Sequence, residues 1–527
     1  MRDSQGNVVH EDDDATLTDA NRQPDHSYAT IVTVAFERPT GLVGMYRHPY
    51  AQVVMLGFVC FMGPGLFNAL TGLGGGGQLD SKTSANANAA VYASFAFFAF
   101  FAGTINNKLG SRLTLTLGSL GYSIYISSYL VYNQVRQAEP FVVVSGAVLG
   151  LCAGLLWTAQ GSLMLSYPTE NQKGRMVALF WSIFNAGGVL GSLVAALANH
   201  HNRADQVSDA TYVGFLVLTA LGTFIPLFMT DPHKMVRTDG TKVASPRHPS
   251  WKIEFYSLWV ALKTDPMILF LCVAFLYIPT RNYFVHTWQF NAYNGALFNM
   301  RTRSINDVVY WFSQIIGSLS IGILLDNAKL SRRTRAFIAW GLLLVLVTIT
   351  HVWSFIYQRG YTRESAMANR NKMDVTDRAY PVHLLLYILC GLMDSIWQTS
   401  SYWFIGVMSN DATKLAHFVG FYKSIQSAGA AGAWRADAAK VPFMNLLVST
   451  WSLLLGGLVF GLPMLYLRVK NHTDYEDEAL ARMDDDGNIR SAENFQQLHD
   501  PVVEAPKTTF VLESPPNEKV HKLDKLI

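Results

Sequence analysis

The sequence predicts an all-helical membrane protein with twelve transmembrane helices in two six-helix halves. Half of the 527 residues are hydrophobic, only 15% are charged, and the apolar residues are gathered in long runs. An average soluble protein carries about 25% charged residues. A helix needs about 20 mostly apolar residues to cross a hydrocarbon core about 30 Å thick. The runs also lack the period-two alternation of membrane barrel strands, which leaves helices as the spanning elements.

Twelve segments have the length and composition of transmembrane helices. The first six cover 50–71, 87–106, 112–132, 141–166, 176–199 and 210–230, and the second six cover 266–290, 305–325, 336–357, 381–405, 414–434 and 443–467. The longest internal polar stretch separates the two sets. We therefore expect a disordered cytoplasmic tail at 1–47, a six-helix half at 48–230, a cytoplasmic central loop at 231–265, a second half at 266–468 and an acidic cytoplasmic tail at 469–527.

Charged residues are distributed unevenly along the chain. The formal net charge is +3, yet residues 1–47 and 469–527 hold more Asp and Glu than Lys and Arg, so the middle of the chain is strongly basic. Lys and Arg near helix ends are enriched on the cytoplasmic side of a membrane. The orientation that places most of them inside puts both termini in the cytoplasm, and it leaves the plasma membrane and an endomembrane both open.

The sequence lacks the patterns of several other classes of site. Its four cysteines, Cys60, Cys152, Cys272 and Cys390, lie in apolar runs, which is typical of buried small residues rather than of disulfides or zinc ligands. No nucleophile–base spacing or phosphate-binding loop is visible, and the basic loops follow from membrane orientation. We therefore expect no enzyme activity, no cofactor, no metal site and no nucleic-acid partner.

A glycine-containing motif follows the second and the eighth spans. In the first half its residues are Gly103, Asn107, Lys108, Gly110 and Arg112. In the second half they are Gly322, Asp326, Arg332 and Arg333. Both loops resemble the signature loop of the major facilitator superfamily, although Asn107 stands where that family has an acidic residue. Basic residues can anchor such a turn at the membrane surface, and a carboxylate can cap a neighbouring helix. The resemblance implies solute transport by alternating access between two six-helix halves.

Two other motifs of that superfamily are absent. Proton-coupled members often carry Arg-x-x-Gln-Gly in span 4, and here Trp157 stands at the arginine position. Antiporters often carry Gly-Pro in span 5, and here Gly187 and Gly188 occur without a proline. These departures weaken the expectation of proton coupling and of drug antiport.

Longer strings in spans 1–5 point to a narrower family. They are GGGGQLD (74–80), FFAGTINNKLGSRLTLTLGSLGYSIY (100–125), LLWTAQGSLMLSYP (155–168) and KGRMVALFWSIFNAGGVLGS (173–192). These strings are similar to fungal members of the Unc-ninety-three-like family. The resemblance implies a multi-pass membrane protein whose substrate is mostly unassigned. Because some animal relatives act as channel regulators or trafficking partners, a non-transporting regulator that binds a membrane-protein partner is the alternative to a carrier of a small, anionic or polar solute.

Two opposite charges are expected near the middle of the bilayer. Asp394 lies about 18 Å along span 10, and Lys423 lies about 14 Å along span 11 from the opposite side, at 1.5 Å per helical residue. An antiparallel hairpin of these spans brings the two residues to a similar level, with Gln398 one turn away from Asp394. Charges at this depth are costly and rare. A structural ion pair and a site for substrate or a coupling ion are both consistent with the pattern.

Other polar residues inside the spans are weaker candidates. Arg281 follows Pro279 in span 7, where it could meet a substrate group or extend toward the membrane surface. In the first half, Asn68, Gln160 and Asn185 are candidates because helices 1, 4 and 5 commonly face the cavity in the resembled fold. Hydrogen bonding between helices is the alternative role for these three.

Aromatic and aliphatic residues recur at helical spacing within the central loop. They are Trp251, Phe255, Leu258, Trp259 and Leu262, and Lys252, Glu254 and Lys263 interrupt them. This pattern predicts a short helix on the inner membrane surface, with ordinary packing beneath the bundle as the other interpretation.

Overall fold

The computed structural model describes residues 36, 38–72, 81–199, 209–243, 251–264, 287–369, 371–409 and 412–471, and these form an almost entirely helical bundle. The helices before the central loop are α1 (Gly41–Tyr46), α2 (Pro49–Cys60), α3 (Leu66–Gly72), α4 (Ser81–Leu109), α5 (Ser111–Gln134), α6 (Glu139–Ser166), α7 (Lys173–Asn199) and α8 (Asp209–Phe228). The later helices are α9 (Trp251–Thr264), α10 (Met300–Leu325), α11 (Arg332–Gln358), α12 (Arg363–Ala368), α13 (Tyr380–Gly406), α14 (Ala412–Ala438) and α15 (Phe443–Arg468).

The helices match the predicted spans closely. Spans 1–6 correspond to α2–α3 and α4 to α8, and spans 8–12 correspond to α10, α11, α13, α14 and α15. Span 7 lies outside the described residues except for its end, where a π-helical segment covers Thr287–Gly295. The predicted tails also lie mostly outside them. A π-helical turn at Phe61–Gly65, which contains Pro64, joins α2 to α3, since proline removes a backbone donor from the helix.

The outer surface of the bundle is suited to lipid. Eight helical segments within the described ranges are long and apolar enough to cross a membrane. Large apolar side chains on these helices point outward: Phe97 is 63% exposed and Ile323 is 71% exposed. A soluble protein buries such side chains, whereas a bilayer solvates them. The chain is therefore a multi-pass integral membrane protein.

Two helix pairs make the most extensive contacts between the halves among the described residues, α4 with α14 and α7 with α10, and α6 also packs on α14. The first glycine of each signature motif lies in one of these pairs. A Cβ atom on Gly103 would lie 2.8 Å from Nδ1 of His417, and one on Gly322 would lie 2.5 Å from Cβ of Ala178. Glycine permits this close approach of the helices, so both motif glycines have a packing role.

The bundle has two ends, which we name by their loops. The motif end carries the loops at 107–112 and 326–335, and the loop end carries the 359–380 segment. Helix α9 lies at the motif end, where it packs on α4 and α14. Leu258 on α9 is buried, whereas Phe255 and Trp259 are 46% and 60% exposed. The amphipathic helix predicted in the central loop is thus present, with one face packed on the bundle.

An ion pair stabilises the loop end of the second half. Arg301 Nη2 lies 2.6 Å from Oδ2 and 2.7 Å from Oδ1 of Asp374. The hydrogen bonds from Arg301 hold the pKa of Asp374 below its ordinary value. The contact is partly exposed, with about a third of each side chain accessible, and solvent weakens it accordingly.

We expect Asp374→Asn to destabilise the protein by about 0.2–1 kcal/mol at neutral pH, the usual range for an exposed ion pair. A carboxyl with a lowered pKa stabilises the fold above its unfolded pKa of about 3.9, and this contribution is lost as pH falls through the lower folded pKa. Thermal unfolding of both proteins from pH 7 to pH 3 checks this. The difference in stability should decrease as the pH falls below about 4, and a constant difference at every pH would contradict the assignment.

Candidate substrate cavity

A central cavity lies between the two halves, with an empty volume of about 630 Å³ that includes its part open to solvent. The first half lines it mainly with aromatic rings, among them Phe67, Tyr92, Phe95, Tyr122, Trp157 and Trp181. The second half lines it mainly with polar side chains, namely Gln314, Asp394, Gln398, Lys423 and Gln426. One wall is therefore apolar and the opposite wall is polar and charged, an arrangement typical of sites for small organic molecules.

Asp394 lies on α13 at the centre of the polar wall, and only 3% of the residue is exposed. Its Oδ2 atom accepts a hydrogen bond from the hydroxyl of Tyr310 at 3.1 Å and another from Nε2 of Gln314 at 3.0 Å. Both donors lie on α10 and are neutral. These two hydrogen bonds orient the carboxyl on the cavity wall.

Lys423 lies on α14 and is 4% exposed. Its Nζ atom donates to Oε1 of Gln426 at 2.8 Å, and it lies 4.5 Å from the ring centre of Trp157 and 5.3 Å from that of Tyr402. A charge at mid-bilayer costs at least about 2.5–3.5 kcal/mol, and a desolvated cation–π contact returns about 2 kcal/mol. The rings therefore offset part of the cost, and the ammonium group still faces the cavity.

The structure brings Asp394 and Lys423 into one cavity but does not pair them directly. No ion pair within 4 Å joins these two described residues; Asp394 accepts from Tyr310 and Gln314, and Lys423 donates to Gln426. The direct ion pair considered from the sequence is therefore not formed. Gln398 also lines the cavity, where its Oε1 atom accepts from the hydroxyl of Tyr422 at 2.9 Å.

The other candidate residues have different surroundings. Asn68 is half-buried and lines the cavity. Gln160 is fully buried outside the cavity lining, and the hydroxyl of Tyr402 donates to its Oε1 atom at 3.3 Å across the two halves. Asn185 is 1% exposed, and its amide atoms have no hydrogen-bond partner in the part of the chain that the structure describes. Arg281 lies outside the described residues.

Three contacts join the two halves at the motif end. The carboxylate of Asp326, at the end of α10, accepts from the backbone N–H of Gly174 at 2.8 Å and of Arg175 at 2.6 Å, in the first turn of α7. Arg332 forms an ion pair with Glu170. Lys173 donates to the backbone carbonyls of Gly406 and Ser409. We refer to these three contacts as the motif-end latch.

The charge of Asp326 is suited to its position in the latch. Helix N-termini have unpaired N–H groups and a partial positive charge, which a carboxylate satisfies. Burial raises the pKa of Asp326 to about 6, and hydrogen bonds from Arg175 and Gly174 act in the opposite direction. The group is therefore ionised at neutral pH.

The motif of the first half makes no equivalent carboxylate contact, because Asn107 replaces the acid. The Asn107 Nδ2 atom is buried without a hydrogen-bond partner among the described residues. Lys108 lies in the last turn of α4, and Gly110 has a φ of +80°, which forms the tight turn into α5. Arg112 donates to the backbone carbonyl of Leu227 within the same half. The latch thus depends on the second-half motif.

Arg333 also differs from the latch residues. It donates to the backbone carbonyl of Tyr466 at 3.3 Å and lies over the ring of that residue. Both groups belong to the second half. Arg333 therefore binds the end of α15, within the second half, and does not connect the two halves.

Sequence reasoning missed a second buried carboxyl, that of Asp307 on α10. The predicted span began at residue 305, which placed Asp307 at the membrane boundary and left Asp394 as the only deep acid. In the structure α10 begins at Met300, because Asn299 Oδ1 accepts from the N–H of Thr302 at 3.0 Å, and Asp307 is fully buried. Asparagine is a preferred N-cap residue, so Asn299 was the signal for the earlier start.

Comparisons with known proteins give the family. The family model described as "Ion channel regulatory protein UNC-93" matches residues 76–467. The chain is 43% identical over 435 residues to an UNC93-like protein of Schizosaccharomyces pombe, which covers 82% of this chain and 85% of that one. It is 39% identical over 432 residues to UNC93-like protein 1 of Arabidopsis thaliana, and this match covers 81% of this chain and 92% of that protein.

Solved structures show the fold. The structure resembles the E. coli fucose:proton symporter with a TM-score of 0.56 and 11% identity, covering 80% of this chain and 98% of that one. It resembles a proton:xylose symporter with a TM-score of 0.57 and 12% identity, and the match covers 81% of this chain and 98% of that one. The fold is that of the major facilitator superfamily, and the chain belongs to the UNC-93 family.

Proposed function

We propose that this protein is a secondary transporter that carries a small polar solute through the central cavity by alternating access. The cavity between the halves, with the charged residues Asp394 and Lys423 buried in its wall, carries this proposal. Buried charges in a membrane bundle are costly, and they commonly mark substrate or ion pathways.

The closed motif end supports a gated pathway. When the latch is released, the two halves can rock apart at this end. The helices of the two halves then move against each other at their close contacts around Gly103 and Gly322. Each state then exposes the cavity to one side. From the distribution of Lys and Arg, we assign the motif end and both termini to the cytoplasm.

The cavity walls suggest a class of solute. Lys423 offers a positive charge and Gln398 and Gln426 offer amides, which suits an organic molecule with an anionic or strongly polar group. The aromatic wall suits its apolar part. In this scheme Asp394 binds the coupling proton or cation, because it is a carboxyl buried in the cavity wall.

Uptake by the purified full-length protein in liposomes, screened over a panel of labelled metabolites, tests the proposal. We expect uptake of at least one anionic or polar compound above that of empty liposomes. Lys423→Met, which removes the charge and keeps an apolar stem, should lower uptake of the anionic compound about 10-fold or more, the usual cost of a lost charged hydrogen bond. Absence of uptake across a panel that includes organic anions, sugars and amino acids would contradict transport.

A non-transporting regulator is the second candidate, and the description of the family model as an ion channel regulatory protein favours it. In that case the tails or the lipid-facing helices would hold a membrane-protein partner. The cavity charges would then be dispensable. Retention of the cellular function in a variant that no longer transports would identify this role.

A further inference from the structure

Helix α9 presents a face of aromatic rings and lysines outside the bundle, which we name the interfacial face. Its residues fall within an arc of about 140°, since each residue turns an α-helix by about 100°. They are Trp251, Lys252, Phe255, Tyr256, Trp259 and Lys263. The exposed fraction is 45% for Trp251, 50% for Tyr256 and 60% for Trp259. Large rings that are exposed together mark a contact with a protein or a membrane.

Another face of α9 is packed where the two halves meet at the motif end. Ser257 and Leu258 are buried there, and α9 contacts both α4 and α14. The Oγ atom of Ser257 forms a 3.3 Å hydrogen bond with Nε2 of His417 on α14. The Nδ1 atom of His417 would lie 2.8 Å from a Cβ atom on Gly103 of α4. Helix α9 therefore rests on one helix from each half, beside one of their close contacts.

The interfacial face continues the lipid-facing surface of the bundle. Phe97 on α4 is 63% exposed, and its ring centre lies 5.7 Å from that of Phe101. The ring centre of Phe101 lies 6.3 Å from that of Phe255 on α9. A continuous row of rings thus runs from the spanning part of α4 onto α9. The bilayer that solvates Phe97 therefore extends to the exposed rings of α9.

The residue types of the interfacial face are those of a membrane–water boundary. Trp and Tyr rings are favoured at the level of the lipid headgroups. Lysine side chains can lay their stems along apolar surface while the ammonium groups reach the headgroups. Lys252 and Lys263 lie near the two ends of α9, and Glu254, the other charged residue of the helix, does not share their spacing. Anionic headgroups attract lysines placed in this way.

We propose that the interfacial face of α9 binds the headgroups of anionic lipids and that this binding favours the closed motif end, an inference that rests on the proposed alternating access. In the closed state α9 rests on α4 and α14 together, which fixes its exposed rings beside the lipid-facing surface. When the halves separate at this end, α9 keeps only one of these contacts, and its exposed face is no longer fixed there. A ligand shifts an equilibrium toward the state that it binds better. Anionic lipid therefore acts as a regulator of the transporter.

Fluorescence quenching tests whether lipid covers the interfacial face. The full-length protein, with its four native cysteines replaced by serine, carries a fluorophore on Trp259→Cys in phosphatidylcholine vesicles that contain phosphatidylserine and lipid spin-labelled at the headgroup. The spin-labelled lipid should quench this fluorophore more strongly than the same fluorophore on Lys234→Cys, an exposed position at the motif end outside α9. Equal quenching at the two positions would overturn membrane binding of α9.

Distances between spin labels on Lys234→Cys and Lys329→Cys test the effect on the motif end. They are compared in vesicles of phosphatidylcholine alone and in vesicles in which phosphatidylserine forms about a third of the lipid, a content typical of a strongly anionic leaflet. The attraction of one lysine to such a surface corresponds to about a 5-fold change in binding. If one lysine loses its headgroup contact on opening, phosphatidylserine should raise the ratio of closed to open molecules about 2- to 5-fold.

The comparison is made in the otherwise unmodified protein and in Asp326→Ala, which lacks the carboxylate of the latch, so that a fully closed protein cannot mask the effect. Lys252→Gln combined with Lys263→Gln removes both charges and keeps polar side chains, and it should abolish the response to phosphatidylserine. Arg435→Gln is the matched control, because Arg435 is exposed on α14 at the loop end, and it should leave the response unchanged.

Equal distance distributions in the two kinds of vesicle, in both the unmodified protein and Asp326→Ala, would overturn the proposal. An undiminished response in the double lysine variant would overturn it as well, because the lipid would then act elsewhere. Neither measurement uses a solute. A failure here is therefore distinct from a failure to transport, which the liposome uptake assay measures separately.

Discussion

Asp394→Asn is expected to reduce solute uptake about 10- to 100-fold while leaving protein abundance normal. The substitution removes the proposed interaction of the carboxylate with the coupling ion; a hydrogen bond to a charged group contributes about 1.5–3 kcal/mol, and 1.4 kcal/mol corresponds to a factor of ten. The amide has nearly the same shape as the carboxyl, and its oxygen can still accept from Tyr310 and Gln314. Folding should therefore survive while the titratable group is lost.

Uptake in liposomes and abundance in the membrane, measured on the same variant, check this expectation. Asp394→Glu retains the charge and should keep part of the activity. If Asp394→Asn instead fails to accumulate in the membrane and its purified fraction transports normally, the carboxyl has a structural role only.

Asp326→Ala is expected to open the motif end. The substitution removes the carboxylate that accepts from the N–H groups of Gly174 and Arg175, and the loss of such a cap costs about 0.5–2 kcal/mol. In the open state water can satisfy these groups. The ratio of open to closed molecules should then rise by a factor of about 2–30.

Distances between spin labels measure this opening. Lys234, shortly after α8 of the first half, and Lys329 in the second half are exposed at the motif end, and cysteines there can carry the labels. The Asp326→Ala variant should show a larger population at long distance. Arg333→Ala is the matched control, because Arg333 contacts only the second half, and it should leave the distribution as it was. An unchanged distribution in Asp326→Ala would show that the carboxylate does not hold the halves together.

The spans could be predicted from the sequence because hydrophobicity and length are local properties. The limits of α13, Tyr380–Gly406, differ from the predicted 381–405 by one residue at each end. The start of α10 was less accurate, since a cap residue and not hydrophobicity determines it. That error of five residues hid Asp307.

The candidate site was only partly predictable. The similar depth of Asp394 and Lys423 follows from the geometry of an antiparallel hairpin, and the structure places both in one cavity. Their partners could not be predicted, because Tyr310 and Trp157 come from helices remote in sequence. Gln160 illustrates the same limit: its helix is apolar on all sides, so the sequence does not reveal which side faces the cavity.

The latch was also beyond sequence reasoning. The resemblance identified Asp326 as a motif residue, and a role in capping a neighbouring helix was expected on physical grounds. Which helix it caps depends on the packing of α10 against α7, and 151 residues separate Asp326 from its partner Arg175. The replacement at Asn107 weakens the corresponding contact in the first half, as the sequence suggested.

Accessibility of the cavity from each side of the membrane tests the central claim most directly. A single cysteine at Asn68, in a protein whose four native cysteines are replaced by serine, can be treated with a membrane-impermeant thiol reagent on one side of oriented liposomes. The account predicts labelling from the loop end in the otherwise unmodified protein, and additional labelling from the motif end when Asp326→Ala is introduced. Failure to label from either side in both proteins, or equal labelling from both sides before the latch is removed, would contradict a cavity gated between the two halves.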